Sequence, residues 1–197
     1  MVSPVDMFHT TAMVALAFVL SGPGATAPDV GFETIRISTD FFCEGASFGD
    51  FNRDGVNDIV SGPYWYEGPD FATKHELFPP KTFDPLHYSD NFFAWVRDFD
   101  GDGWPDVLFV GFPGQAAFWC ENPGGEERHW DRHVVHAQVD NESPAFTDLT
   151  GDGRPELVFH TGGVIGWAGP DPADPRAPWV FHELSEELGL GRFTHGL

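Results

Sequence analysis

Asp98-Phe99-Asp100-Gly101-Asp102-Gly103-Trp104-Pro105-Asp106 is the stretch whose reading decides the fold. Carboxylates stand at positions one, three, five and nine of a nine-residue loop, with Gly103 at position six. Oxygen ligands at alternate positions can converge on one hard cation, and a glycine lets the backbone turn sharply beneath it. The pattern recurs upstream as Asp50, Asn52, Asp54, Gly55 and Asp58, and downstream as Asp148, Thr150, Asp152, Gly153 and Glu156. The first residues of the three loops are 48 and then 50 positions apart. A metal-type loop at a nearly constant period marks a repeat protein.

The residues after each loop exclude an EF-hand. That motif needs a bidentate Glu at position twelve and flanking helices, whereas position twelve here is Ser61, Phe109 and Phe159. The runs Asp58-Ile-Val-Ser61, Asp106-Val-Leu-Phe-Val110 and Glu156-Leu-Val-Phe159 are apolar, β-branched and aromatic, so they read as short buried strands. A spacing of about 50 residues with several short strands per unit is propeller-blade spacing.

On these residues the chain resembles the FG-GAP (VCBS-type) repeat proteins, the calcium-loop β-propellers that include integrin α-subunit head domains. Phe48-Gly49-Asp50 through Gly62-Pro63, Val96 through Gly111, and Phe146 through Phe159 carry the resemblance. It implies Ca²⁺ at up to three sites, each loop joining the innermost strand of a blade to the next strand. Side-chain ligands would come from Asp50, Asn52, Asp54 and Asp58, from Asp98, Asp100, Asp102 and Asp106, and from Asp148, Thr150, Asp152 and Glu156. The position-seven carbonyls of Val56, Trp104 and Arg154 would complete each shell. Such a fold hosts adhesion, carbohydrate binding and catalysis alike, so the resemblance leaves function open.

Composition agrees with an all-β, turn-rich chain: 23 Gly and 17 Pro in 197 residues, 20 Phe and 7 Trp for a core, and no long stretch of helical period. The net charge of −21 makes nucleic acid and anionic membrane poor partners. The segment 1–27 reads as an export signal. Its apolar run Ala12–Leu20 is too short to span a membrane, and Ala25-Thr-Ala27 has the form of a cleavage site, although no Lys or Arg precedes the run. The two cysteines, Cys43 and Cys120, fall at dissimilar places in their units and are expected to stay free thiols.

Residues 28–197 then divide into four-stranded blades at about 37–80, 88–137 and 138–185, with 190–197 resembling the start of another inner strand. Each unit runs inner strand, metal loop, second strand, a third strand bearing Trp65, Trp119 or Trp167, a turn, and an outer strand bearing His75, His133 or His182. Each such His is expected to bond within its own blade beside the Trp rather than share a metal. Closed rings use about four to eight blades, so three units predict an open arc whose remaining blades are missing from this chain.

Polar residues that start the inner strands should ring the channel mouth at the end opposite the metal loops: Asp40, Glu44, Asp90, Asn91, Asp140, Asn141, Glu142, Arg192 and His195. Two readings compete there, a ligand site and a set of turn residues that merely initiate strands. The sequence favours a secreted calcium-binding propeller module that takes a carbohydrate or an extracellular protein. The alternative is a fragment of a sugar-acting lyase or dehydratase using Arg192 and His195 at the mouth.

Overall fold

The computed structural model describes residues 31–196, so the expected export signal lies outside the described residues. From Arg36 on, the chain forms one compact unit containing twelve strands and, among the described residues, no helix. The first sheet holds β1 (Ala46–Gly49), β2 (Asp58–Ser61), β3 (Tyr64–Tyr66) and β4 (Lys74–Glu76). The second holds β5 (Phe93–Arg97), β6 (Asp106–Val110), β7 (Gln115–Glu121) and β8 (Asp131–Val139). The third holds β9 (Ala145–Thr147), β10 (Glu156–Thr161), β11 (Val164–Gly169) and β12 (Val180–Glu183). Each is an antiparallel meander in chain order, and none closes on itself. The architecture is all-β and that of a partial propeller. β8 is the longest strand and runs to Val139, past the unit boundary expected near 137.

The second strands explain why the sheets stack. In β6 every residue from Asp106 to Val110 is buried, and side chains on a strand alternate between faces. Val107 and Phe109 therefore join Phe51, Val60, Trp65, Leu77 and Trp130 in the core shared with the first sheet. Leu108 and Val110 join Trp119, Val135, Leu157, Phe159 and Trp179 in the core shared with the third. Each large side chain so buried contributes about 1.5–3 kcal/mol, and neither sheet could hide these faces alone.

The stacking also has a polar rule. The Trp130 N–H, just before β8, donates to the Leu77 carbonyl just after β4, at 2.8 Å. The Trp179 N–H, just before β12, donates to the Val135 carbonyl in β8, at 3.0 Å. The two rings then cover the second residue of the preceding sheet's metal loop: Phe51 lies 5.9 Å from Trp130 and Phe99 5.4 Å from Trp179. The corresponding residue of the third loop, Leu149, is 47% exposed.

Each blade also repeats a Trp–His stack across its last two strands. Ring centroids are 4.1 Å apart for Trp65–His75, 4.5 Å for Trp119–His133 and 4.1 Å for Trp167–His182. The His edge bonds a Glu two residues after the Trp in the first two blades, His75 to Glu67 at 2.8 Å and His133 to Glu121 at 2.9 Å. Gly169 takes that place in the third, which has the stack alone. His75 and His133 bond within their own blades, as expected, whereas His182 only stacks on Trp167. Cys43 and Cys120 are free thiols, and burial pushes Cys120 up to about 12.

Candidate metal centres

Each metal loop begins where an inner strand ends and is folded by its own carboxylates. Asp98 accepts the N–H groups of Gly101 (2.7 Å) and Gly103 (2.9 Å), and Asp102 accepts that of Trp104 (2.8 Å). Asp148 and Asp152 do the same for Gly151, Gly153 and Arg154. Asp50 and Asp54 hold Gly55 and Val56. The position-six glycines have φ of 88°, 89° and 84°, left-handed values that a side chain would strain.

The ninth residue does a second job. Asp58, Asp106 and Glu156 are buried, at 0, 1 and 5% exposure. Asp106 accepts the Phe99 N–H at the head of its loop and the Asn122 N–H beyond β7, both at 2.8 Å. Asp58 likewise accepts Phe51 (2.8 Å) and Gly68 (2.9 Å). Glu156 accepts the Leu149 N–H at 2.8 Å and the Thr150 hydroxyl at 3.0 Å. Burial pushes the Asp106 carboxyl up to about 8, against these N–H bonds, and raises Asp58 in the same direction.

Two of the three loops gather acids tightly. Asp98, Asp100 and Asp106 each present an oxygen within 4.8 Å of the others, and so do Asp148, Asp152 and Glu156. Asp50, Asp54 and Asp58 form no such group among the described residues, and Asn52 donates its amide to Asp54 at 3.1 Å. The donors are all oxygen and mostly carboxylate, which suits a hard divalent cation such as Ca²⁺ rather than Zn²⁺. The second loop carries an internal competitor that the sequence did not reveal. Arg176, from the segment before β12, reaches Asp100 at 2.7 Å and Glu121 at 2.7 and 2.8 Å. That pairing holds Glu121 below the usual carboxylate range.

At the opposite end the expected mouth residues do not form one set. The pairing of Gly49 with Asp58, Arg97 with Asp106 and Thr147 with Glu156 fixes the register between blades. It puts Phe42 and Cys43, not Asp40, at the places of Asp90–Asn91 and Asp140–Asn141. Asp40 only exchanges local hydrogen bonds with Ser38. Glu44 accepts the N–H of Ser89 at 3.0 Å and also bonds its hydroxyl, while its own N–H reaches the Asn91 carbonyl at 3.0 Å. Asp90 is exposed and pairs with Lys81 at 2.7 Å.

Asp140 is buried, takes both oxygens to Gln138 and accepts the Gly162 N–H at 2.8 Å. The side-chain oxygen of Asn141 accepts the His160 N–H at 3.2 Å. Arg192 sits 3.5 Å from Asp140, and His195 pairs with Glu142 at 2.7 Å on the surface. These groups mostly satisfy the protein's own backbone, the strand-initiating reading. The side chains of Asn91 and His160, and the amide nitrogen of Asn141, are buried without partners.

A cavity lies elsewhere. About 680 Å³ opens between the first and second sheets, beside the first metal loop and over Trp65 and Trp130. Glu67, Glu76, Glu126 and Glu127 line it with Arg128 and the two His–Glu pairs His75–Glu67 and His129–Glu76. No sequence motif marks it, because it is built from one blade's stack and the next blade's turn.

No curated protein and no solved structure matches the chain. One family model does match, from the second loop through the third: residues 98–159 fit the FG-GAP-like repeat, consistent with the resemblance read from the sequence.

Proposed function

We propose that the protein is an exported, calcium-stabilised propeller-type repeat module whose task is to bind a partner rather than to catalyse. The observation that carries the metal part is the convergence of Asp98, Asp100 and Asp106, and of Asp148, Asp152 and Glu156, within 4.8 Å in loops otherwise folded by the same side chains. A bound cation would supply the positive charge that a chain of net charge −21 lacks at these points. The loop at Asp98 offers the most carboxylates and is ranked first, and the loop at Asp148, with neutral Thr150 at position three, is ranked last. Export is supported by the apolar run at Ala12–Leu20 and the small residues at Ala25-Thr-Ala27.

A binding role is supported by the groove between the first two sheets, where exposed carboxylates stand over the largely buried rings of Trp65 and Trp130. Carbohydrates and proteins both use such surfaces. At the mouth, His195 is a surface residue paired with Glu142, and Arg192 lies against Asp140. Calorimetric titration of the purified chain with Ca²⁺ tests the metal: saturable uptake that Asp98→Asn and Asp148→Asn each reduce is the expected result. No heat, and equal melting temperatures in calcium and in EDTA, overturn it.

A further inference from the structure

The two gaps between neighbouring sheets are built to one plan, and only one of them holds a bridging arginine. In both, a Trp N–H from the later sheet binds the earlier sheet's outer strand, Trp130 to Leu77 and Trp179 to Val135. That fixes which residues correspond. Three positions before each Trp stand Glu127 in the first gap and Arg176 in the second. Glu67 corresponds to Glu121, each two residues after its stacked Trp and each bonded to the His of that stack.

In the second gap the half-exposed Arg176 guanidinium bridges two carboxylates. Its Nε and Nη2 take the two oxygens of Glu121, and Nη2 also reaches Asp100. In the first gap the same place holds no guanidinium. Glu67 gives one oxygen to His75, and its other oxygen accepts no hydrogen bond among the described residues. Glu127 makes no ion pair among them either. The nearby cation, Arg128, is already held by Glu126 and Asp131. The result is the 680 Å³ cavity, large enough for a small-ligand site, with carboxylates where its twin has an internal arginine.

We propose that this cavity receives the guanidinium of an arginine side chain presented by a partner protein, which would take against Glu67 and Glu127 the place that Arg176 takes against Glu121. A planar fork of donors matches a carboxylate with two free lone-pair directions, and guanidinium is weakly enough hydrated to enter a partly enclosed site. The inference rests on the reading of the protein as a binding module, but not on the metal loops.

The test uses the full chain in calcium buffer and the capped tripeptide Gly-Arg-Gly, followed through the fluorescence of the tryptophans that line the cavity. Its citrulline counterpart has the same shape without the charge, and maltotriose is the carbohydrate control. The arginine peptide is expected to bind at least about tenfold more tightly than the citrulline peptide, one charge-assisted hydrogen-bonded contact's worth, and less tightly as salt is raised. Glu67→Gln should weaken it by a similar factor. Glu127→Arg should abolish it while leaving the fold intact, because it installs the arginine that the other gap contains. Equal binding of both peptides, or no binding of either, overturns the inference, as does full binding by the Glu127→Arg variant. Binding of maltotriose alone would overturn it too, yet keep the binding-module reading; calcium-dependent melting reports on the metal separately.

Discussion

The two ends of the sheets solve the same problem differently. At the metal-loop end each blade uses one device: acids at fixed positions fold the loop, and a buried ninth carboxylate ties down its head. At the opposite end each blade improvises. Cys43 bonds the Ser61 hydroxyl in the first sheet, the Asn91 side chain is buried without a partner in the second, and Asn141 takes the His160 N–H in the third. Under the calcium reading proposed above, such a loop would have to meet a cation's demand for oxygen, which the chain could not vary. A strand start has only to satisfy local N–H groups, which many side chains do.

Removing calcium should expose this contrast most strongly. With metal held at about a hundredfold over its dissociation constant, each occupied site adds about 2.7 kcal/mol. EDTA should therefore lower the melting temperature of the chain markedly, and a scan unchanged by EDTA would remove the distinction between the two ends.

Asp106→Ala comes next. It orphans two buried N–H groups, at about 1–3 kcal/mol each, so urea denaturation should show a loss of about 3 kcal/mol even in EDTA. A loss seen only in calcium would mean that the residue serves the metal alone.

Asp140→Ala should cost less, about 1–2 kcal/mol, since the Gly162 N–H and Gln138 lose one partner. Asp90→Ala should cost below about 1 kcal/mol, because the Lys81 pair is exposed. If both variants kept full stability and lost a ligand, the strand-initiating reading of the mouth would fail.

The smallest effect is one of pH. Burial lowers the His160 pKa below its ordinary value, with Asp140 opposing weakly. The unfolded chain then takes up a proton that the folded one resists. Stability from this residue is intact above about pH 6.5 and declines as pH falls toward the folded pKa, by at most about 1.4 kcal/mol per pH unit. His160→Phe should flatten the dependence between about pH 7 and pH 5.5, and an unchanged slope would assign the loss to other groups.

Legibility in the sequence splits along the same divide. The loops, the strand order and the Trp–His stacks could be read because their residues are close in sequence and recur in register. Asp40 was misplaced because it lies two residues further from its loop than Asp90 and Asp140 lie from theirs. Counting back from the pairing of Gly49 with Asp58, the same as that of Arg97 with Asp106, reaches Phe42 at the place of Asp90. The Arg176–Glu121 contact joins residues 55 apart, so no local pattern announces it. Laying the Trp130 and Trp179 segments over one another would have shown Glu127 against Arg176, a visible signal whose meaning needs the gap to be seen.

The hydrogen bonds from Trp130 to Leu77 and from Trp179 to Val135 also give the array a direction. In both, the later sheet brings the donor and the earlier sheet already holds the acceptor. A chain that emerges from the ribosome amino end first presents each acceptor before its donor has been made. Every new sheet can then dock on a finished neighbour, and the register of the second junction does not wait on anything synthesised after it.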